Sequence, residues 1–375
     1  MLNFDQPSPP PDRLEVIAAL RTAVEDVMLV NGYTYDQDGT VHLRGQLKVP
    51  ADKIYRILRE RVERIGYTPF LKEQKDQDDS DKRRQGDFEI IAVRGVTPRI
   101  KLNTRINLLL YIATFASVII AGMQFGNSPN GIDISTGLMF GLPVMAILTA
   151  HEMGHYVIGK RRGAPVSLPY FIPLPFIALF GTMGAVIVQR EPFEDRRTLL
   201  EVGIAGPLCG FIVAVPLLII GLLLSHTQAI APTQQMISFG DSLLTQTLTF
   251  LKFGQLAHGT DVIAHPILIG AWFGLLITGI NLVPAGQLDG GHIAYALLGK
   301  YAKYLSYAMI ALFGALAFLV SETWLLWAIM LLLFGRTHPP SLNQAVKLEP
   351  FHFALAIIAV LVLILVFVPN PLSVV

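Results

Sequence analysis

The sequence predicts an α-helical polytopic membrane protein preceded by a small soluble α+β domain. Hydrophobic residues make up 52% of the 375 residues, charged residues only 15%, and the mean hydropathy is +0.51. A soluble chain of this length carries more charge, so most of the apolar residues are expected in a bilayer. About seven apolar runs qualify as transmembrane helices, and a proline-rich stretch among them predicts a re-entrant β-like segment.

Charge and cysteine content exclude several function classes. The formal net charge is +1 and the basic residues are spread along the chain, so no nucleic-acid partner is expected. Cys209 is the single cysteine, which excludes an internal disulfide and a cysteine-based metal site. The lipid bilayer is therefore the partner that composition predicts, and the sequence does not indicate an oligomeric state.

Residues 1–97 have the pattern of a soluble α+β domain, of the kind seen in a ferredoxin-like sandwich. Residues 1–11 are rich in proline and are expected to be disordered, and the almost purely polar residues 73–87 predict a mobile loop. The expected elements are a helix from Asp12 to about 28, strands at 28–35 and 40–47, a helix at 51–65, and strands at 67–71 and 88–93.

The remainder is expected to be membrane-embedded, with a catalytic core at residues 98–300 and C-terminal transmembrane helices at 301–375. The sixth apolar run has only about 12 residues, so it could be tilted, could thin the bilayer, or could form a hairpin with the fifth. The predicted spans are residues 107–123, 136–159, 199–224, 262–284, 304–320, 323–334 and 351–368.

The second of these spans carries His151, Glu152 and His155 in the pattern HExxH. Positions four apart lie about 40° apart around a helix, so both imidazoles can approach one metal ion with the carboxylate beside them. This is a zinc-hydrolase pattern and predicts bound Zn2+. The alternative, polar side chains satisfied by a bundle core, is disfavoured because such a cluster is costly in hydrocarbon without partners.

Residues 163–197 are apolar enough to enter a membrane but cannot form a regular helix. Pro169, Pro173 and Pro175 interrupt the apolar run, and residues 181–188 have the pattern of a glycine-bent β segment. A re-entrant loop or hairpin beside the metal is therefore expected. Its edge could pair with an unwound substrate strand, or the loop could only pack against the bundle.

A zinc hydrolase requires a third protein ligand and an open position for water. Ile158 and Arg161 stand where the extended pattern HExxHxxGxxH has its Gly and His, so the ligand has to come from elsewhere. Asp289 is the better candidate, because it lies in a glycine-rich run that closes the fourth span. Glu191 and Glu194, in a charged loop, are the alternatives.

Lysine and arginine are distributed unequally between the connecting segments, and Lys252 is the single basic residue on the poorer side. The richer side is retained in the cytoplasm, which predicts a cytoplasmic or stromal N-terminal domain in a plasma or thylakoid membrane. The same distribution predicts HExxH at the cytoplasmic end of its span. The basic residues on the richer side are Arg94, Arg99, Lys101, Arg105, Lys160, Arg161, Arg162, Arg190, Arg196, Arg197, Lys300, Lys303, Arg336 and Lys347.

Other histidines are rival ligands. His292 follows Asp289 by three residues and is either a partner of the ligands or an interfacial histidine at a helix end. The remaining histidines are expected away from the site, with His226, His258 and His265 on the outer side and His42, His338 and His352 at the surface or the interface.

The paired motifs carry a family resemblance. HExxH in one span, followed by NxxPxxxLDGG at residues 281–291, resembles the site-2 proteases, which are intramembrane zinc metalloproteases. The resemblance covers about residues 105–297. Residues 181–186, 195–197 and 205–207 are similar to the cyanobacterial and plastid branch of that family.

The resemblance implies a zinc site with defined roles. His151, His155 and Asp289 would be the ligands of one zinc ion per chain, and Glu152 would be the catalytic base. The implied activity is that of a metalloendopeptidase that hydrolyses peptide bonds within or near the membrane segments of a transmembrane protein substrate.

The resemblance also implies residues that hold the substrate backbone. These are Asn281 and the strand at 181–188, with Gly181, Thr182 and Gly184.

Two other function classes remain open on the residues alone. A proton-coupled secondary transporter could use the same ionisable groups as a relay, and an inactive scaffold could retain the zinc ligands.

Overall fold

The computed structural model describes residues 13–74, 87–96, 104–126, 133–189, 191–229, 237–257, 259–334 and 338–374. The predicted disordered start at 1–11 and most of the predicted mobile loop at 73–87 lie outside these residues. The chain divides into two compact units. The first unit is Met1–Ile100 with Pro192–Arg196 and Pro340–Lys347, and the second is Lys101–Glu191, Arg197–Pro339 and Leu348–Val375.

The first unit is an antiparallel four-stranded sheet with two helices, in strand order β1-β2-β4-β3. The predicted elements are present, in the order αββαββ, which differs from the βαββαβ order of a ferredoxin-like sandwich by a shift of one strand. The first helix ends earlier than predicted. The elements are α1 Arg13–Val24, β1 Met28–Tyr35, β2 Val41–Leu47, α2 Ala51–Arg64, β3 Tyr67–Glu73 and β4 Asp87–Arg94.

Helical spacing of apolar residues explains how α2 packs on the sheet. Ile54, Tyr55, Leu58 and Val62 are its buried residues and recur every three or four positions along one face. The Tyr55 hydroxyl donates a buried 2.6 Å hydrogen bond to the Pro69 carbonyl of β3. The apolar face and this bond fix α2 against the sheet.

Two segments from elsewhere in the chain extend the edge of β3. Leu71 donates to the Leu342 carbonyl and accepts from the Gln344 N–H, both at 2.8 Å. Leu342 in turn donates to the Phe193 carbonyl at 3.0 Å, and Asn343 pairs in parallel with Asp195. Residues 192–196 and 340–347 therefore fold as part of this unit, which no local pattern predicted.

The second unit is mostly helical and contains short antiparallel strand pairs. The helix α6 was not predicted, although Ser242 and Thr245 form a capping box at its start. The elements are α3 Thr104–Gly122, α4 Ile134–Arg161, β5 Tyr170–Pro173, β6 Thr182–Val186, α5 Arg196–Leu224, β7 His226–Ala229, β8 Ile237–Phe239, α6 Leu243–Phe253, β9 Thr260–Ile263, α7 Pro266–Asn281, α8 Asp289–Leu298, α9 Ala302–Leu319, α10 Thr323–Phe334, α11 Pro350–Val366 and β10 Leu372–Val374.

Among the described residues, four helical runs are long and apolar enough to cross a membrane: Thr104–Phe125, Ile134–Arg161, Arg196–Leu224 and Asp289–Leu319. The chain is therefore a multi-pass membrane protein. The helices α7, α10 and α11 are apolar but shorter, so length and composition do not confirm the predicted count of about seven spans. The fourth run also begins earlier than the span predicted at 304–320, because α8 and α9 follow one another with only a short 3-10 turn between them.

The proline-rich segment forms a hairpin, as its pattern predicted. The strands β5 and β6 pair antiparallel, with Phe171 opposite Ala185. Phe180, at the base of the turn, stacks on Phe273 of α7 with ring centroids 4.0 Å apart. The Ser117 hydroxyl of α3 donates a 2.5 Å hydrogen bond to the Gly181 carbonyl. The hairpin is thus fixed to helices on two sides.

Replacing Ser117 should loosen the hairpin. Ser117→Ala removes a buried donor to Gly181, and we expect a loss of about 1 kcal/mol in unfolding free energy, seen as a lower melting temperature in detergent. Thr114→Val is the matched control one turn away. In the described structure the buried Thr114 hydroxyl has no hydrogen-bond partner, so this change should not lower the melting temperature. Equal losses in both variants would contradict the assignment.

Candidate metal centre

The HExxH residues lie on the buried side of α4. His151, Glu152 and His155 are 2%, 6% and 9% exposed. Asp133 caps the N-terminus of this helix by accepting from the Thr136 N–H at 3.0 Å. One continuous helix therefore carries both imidazoles toward the interior, as the spacing of four residues predicted.

The two imidazoles meet the carboxylate of Asp289. Oδ2 of Asp289 lies 3.1 Å from Nε2 of His151 and 3.2 Å from Nε2 of His155. The three side chains form a group whose ligand atoms all lie within 4.8 Å of one another. Tetrahedral zinc with bonds of about 2.0–2.1 Å separates its ligand atoms by about 3.3 Å, so the spacing of these atoms suits that geometry.

The hydrogen bond on the far side of His155 orients its ring. Nδ1 of His155 lies 2.7 Å from the Val202 carbonyl of α5. Because a carbonyl only accepts, Nδ1 carries a hydrogen, and Nε2 is the atom left to face Asp289. Metal-ligating histidines commonly have such a partner on their other nitrogen, so the donor set fits a bound metal ion.

Asp289 is the first residue of α8, and the turn between α7 and α8 positions it. A Cβ on Gly290 would overlap the Leu282 carbonyl, and one on Gly291 would overlap the Gly286 carbonyl. Only glycine allows the start of α8 to pack this closely on its own preceding turn. The two glycines of LDGG are therefore required sterically for Asp289 to face α4.

Helix α5 covers the two histidines with small residues. A Cβ on Gly206 would overlap the imidazole of His155, and a Cβ on Gly210 would lie 3.3 Å from the Cβ of His151. Gly154 of α4 similarly approaches the backbone of Ala205. Residues 205–207 are notable in the sequence only through the family resemblance, and the steric reason for glycine beside His155 comes from the packing of α5.

Asn281 also lies at the site, at the end of α7. Its Nδ2 is 3.4 Å from Nε2 of His151. The hairpin residues Gly181, Thr182 and Gly184 are bonded within the hairpin and to α3. The Thr182 hydroxyl donates to the Ile172 carbonyl at 2.9 Å and accepts from the Gly184 N–H at 3.0 Å. Within the described residues, no hydrogen bond joins these three residues to the histidines or to Asp289.

The rival ligands occupy other positions. Glu194 folds in the first unit, where it pairs with Arg56 at 3.2 Å, and burial raises the pKa of its carboxyl group. His292 does not join the metal-ligand group; its Nδ1 lies 2.6 Å from Nε2 of His338. His352 was expected at the surface or the interface but is buried, 3.2 Å from Glu201.

Comparison with known proteins places this geometry in a family. Residues 139–321 match the model of Peptidase family M50. This region belongs to peptidase family M50. The site-2 proteases form this family, so the resemblance read from the paired motifs is confirmed. The M50 domain contains both histidines of HExxH, Glu152, Asn281 and Asp289.

Relatives that match the chain include proteins named as zinc metalloproteases. The chain is 33% identical to "Probable zinc metalloprotease EGY2, chloroplastic" of Arabidopsis thaliana over 243 residues, covering 64% of this chain and 43% of the relative. It is 31% identical to "Probable zinc metalloprotease EGY1, chloroplastic" of the same plant over 250 residues, again 64% and 43%. A zinc metalloprotease of Methanocaldococcus jannaschii is 26% identical over 194 residues, covering 52% and 43%.

These matches have a limited extent. The chain spans less than half the length of the curated relatives that it matches, at 43% for each of the three. No solved structure matches the chain. The family assignment therefore rests on residues 139–321.

The contact between α5 and His155 can be tested by Gly206→Ala. The added methyl group would displace the imidazole of His155. Disturbing the groups that orient a metal ligand lowers the affinity for the metal about 10- to 100-fold. We therefore expect the purified variant to retain at most about one tenth of the wild-type zinc after dialysis. Metal analysis measures this directly.

Gly314→Ala in α9 is the control for changes in helix propensity, because a Cβ there meets no described atom within 4 Å. It should keep its full zinc content. Normal zinc in Gly206→Ala would show that the imidazole of His155 can move away without loss of the site.

Proposed function

We propose that the chain is an intramembrane zinc metalloendopeptidase that hydrolyses peptide bonds within or near the membrane segments of membrane proteins. The observation that carries the proposal is the convergence of His151, His155 and Asp289 on one point beside Glu152. A proton relay has no need of the HExxH spacing, and the relatives of the M50 domain bear names of zinc metalloproteases. The transporter and the inactive scaffold have no comparable support.

The roles of the residues follow from their positions. His151, His155 and Asp289 would hold one zinc ion, which supplies Lewis acidity to the scissile carbonyl and to an attacking water. Glu152 interacts electrostatically with all three of these groups. As the general base it would take the proton of the attacking water and then pass it to the leaving amine.

Substrate binding is proposed for the hairpin and for Asn281. A transmembrane substrate has its amides bonded in a helix and has to unwind before attack, which leaves backbone groups without partners. The strand β6 belongs to a two-stranded sheet, so among the described strands it has only β5 as a partner. Pairing of its second edge with the unwound substrate, around Gly181, Thr182 and Gly184, would satisfy those groups. The Asn281 amide, near His151, would hold a substrate carbonyl.

We further propose seven crossings, made by α3, α4, α5, α7, α9, α10 and α11, with the hairpin as the re-entrant element. Two strand pairings support this order. The C-terminal β10 pairs with β8, which lies in the connection between α5 and α7, so the two belong on one side. Asp195 directly precedes α5, and Asn343 follows α10. These two residues pair within the unit that contains the N-terminal sheet.

In this arrangement four crossings separate the two members of each pair. Two segments that pair on one side of a membrane have to be separated by an even number of crossings, so the arrangement agrees with both pairings. The excess of lysine and arginine on the side of the first unit favours a cytoplasmic or stromal location for it. The predicted division into residues 1–97, 98–300 and 301–375 stays a proposal. The membrane itself would be a plasma or a thylakoid membrane.

Zinc content and cleavage together test the catalytic proposal. We expect about one zinc per chain in the detergent-purified wild type, loss of both zinc and cleavage in Asp289→Ala, and retained zinc with cleavage at least about 100-fold slower in Glu152→Gln. The Glu152 variant is the control for folding, since it changes only the proposed base. Full zinc in Asp289→Ala would remove that residue as a ligand, and rapid cleavage by Glu152→Gln would contradict the role of the base.

Cysteine labelling tests the proposed orientation. In a Cys209→Ser background, Lys53→Cys places a thiol on α2 and Gln246→Cys places one on α6, both at exposed positions. A membrane-impermeant maleimide added to intact cells should label the position in α6, and should label the one in α2 only after permeabilisation. The reverse pattern would invert the topology, and labelling of both positions from outside would contradict the three crossings proposed between α2 and α6.

A further inference from the structure

A cavity lies where α8 meets α9, and none of the proposed zinc ligands lines it. Its volume is about 240 Å³, and its wall includes Gly286 in the turn before Asp289 and Gly291 in the first turn of α8. The residues that define its chemistry are Gly286, Gly291, Tyr295, Lys300, Lys303 and His338.

The cavity is positively charged. Lys300 and Lys303 belong to its lining, and no carboxylate belongs to the described residues that line it. In the described part of the chain neither lysine forms an ion pair. Burial lowers the pKa of His338, which is therefore neutral near pH 7, and it is bonded on both ring nitrogens, to Pro339 and to His292. The two lysines are thus the charges left for a ligand.

Aromatic residues place this cavity at the boundary of the apolar region. The ammonium of Lys300 lies 5.5 Å from the ring centre of Tyr301, and that of Lys303 lies 5.0 Å from the ring centre of Tyr304. These rings are 60% and 61% exposed. Exposed tyrosines beside lysines at the start of a membrane-length apolar helix are typical of the headgroup level of a bilayer.

The surface next to the cavity is suited to acyl chains. The helix α9 continues from the cavity for 18 residues and keeps few residues buried. Leu312, Phe318 and Leu319 are among its exposed apolar side chains. A molecule bound at the cavity could therefore extend an apolar tail along this helix while its polar end stays with the lysines.

We propose that this cavity binds the phosphodiester headgroup of an anionic phospholipid, with the acyl chains along α9. Two lysines without carboxylate partners provide the charge for a phosphate, the volume admits a headgroup, and basic pockets between membrane helices are suited to such lipids. Because the cavity wall includes Gly286, in the turn before Asp289, and Gly291, in the first turn of α8, an occupied cavity stabilises the segment that carries Asp289.

The experiment uses the full chain in detergent and measures melting temperature as a function of added lipid. The probes are dioctanoyl phosphatidylglycerol, dioctanoyl phosphatidylcholine and inorganic phosphate. Phosphatidylglycerol should raise the melting temperature at concentrations at least tenfold lower than phosphatidylcholine. Lys300→Gln and Lys303→Gln should each weaken this response about fivefold, and the double variant about 30-fold, because each lysine near a lipid surface contributes about a factor of five.

Lys160→Gln is the matched control. Lys160 is also an exposed lysine over a tyrosine at a helix end, with its Nζ 5.7 Å from the ring centre of Tyr156, but it does not line the cavity. Its replacement should leave the lipid response unchanged. An equal loss in this control would mean nonspecific attraction to surface charge and would overturn the site.

Three other outcomes would also overturn the proposal. The first is an equal rise in melting temperature with the two lipids, and the second is an unchanged lipid response in the double variant. The third is that inorganic phosphate saturates the cavity and abolishes the lipid response, which would assign the cavity to free phosphate. If the double variant fails to fold, the double replacement by arginine retains the charge and should retain the lipid response. Loss of the response in that folded variant would contradict recognition by charge.

Discussion

A carboxylate inside an apolar helix bundle is stable only if other groups compensate for its lost hydration, a cost of about 3 kcal/mol near the centre of a membrane helix. Asp289 meets this requirement by facing two imidazoles from one helix, at 3.1 and 3.2 Å. Neither histidine could be buried alone at lower cost, since each would leave a polar nitrogen in an apolar interior. Mutual compensation therefore holds α4 and α8 together, and it brings three metal-ligating atoms close to one another.

Close backbone approach is the second condition for this arrangement. Gly206 leaves room for the imidazole of His155, while Gly290 and Gly291 let the start of α8 return onto the turn that follows α7. A methyl group at any of these positions would separate helices that the ligands need in contact. In a bilayer such small residues also serve as packing surfaces, because apolar side chains gain little by leaving lipid for protein. The glycines near the motifs thus serve helix packing and ligand placement together.

Short strand pairings join connections that are distant in the chain. The pairing of β8 with β10 joins the connection after α5 to the C-terminal end, and residues 192–196 and 340–347 join the sheet of the first unit. Each pairing satisfies backbone groups of a connection that would otherwise need water. The position of α11 therefore depends on the pairing of β10 with β8 as well as on helix packing.

The sequence by itself determined the features that arise from local periodicity and spacing. It predicted the soluble α+β unit, the apolar helices, the proline-interrupted hairpin and the HExxH face of α4, because each is determined by neighbours within a few turns of chain. It also singled out Asp289, through a glycine-rich run that closes a span. Only the tertiary structure decided that Asp289, and not Glu194, faces both histidines, that His155 is oriented by Val202, and that β3 is extended from two distant segments. These contacts join residues far apart in the chain, and their geometry depends on how helices pack, which no local pattern specifies.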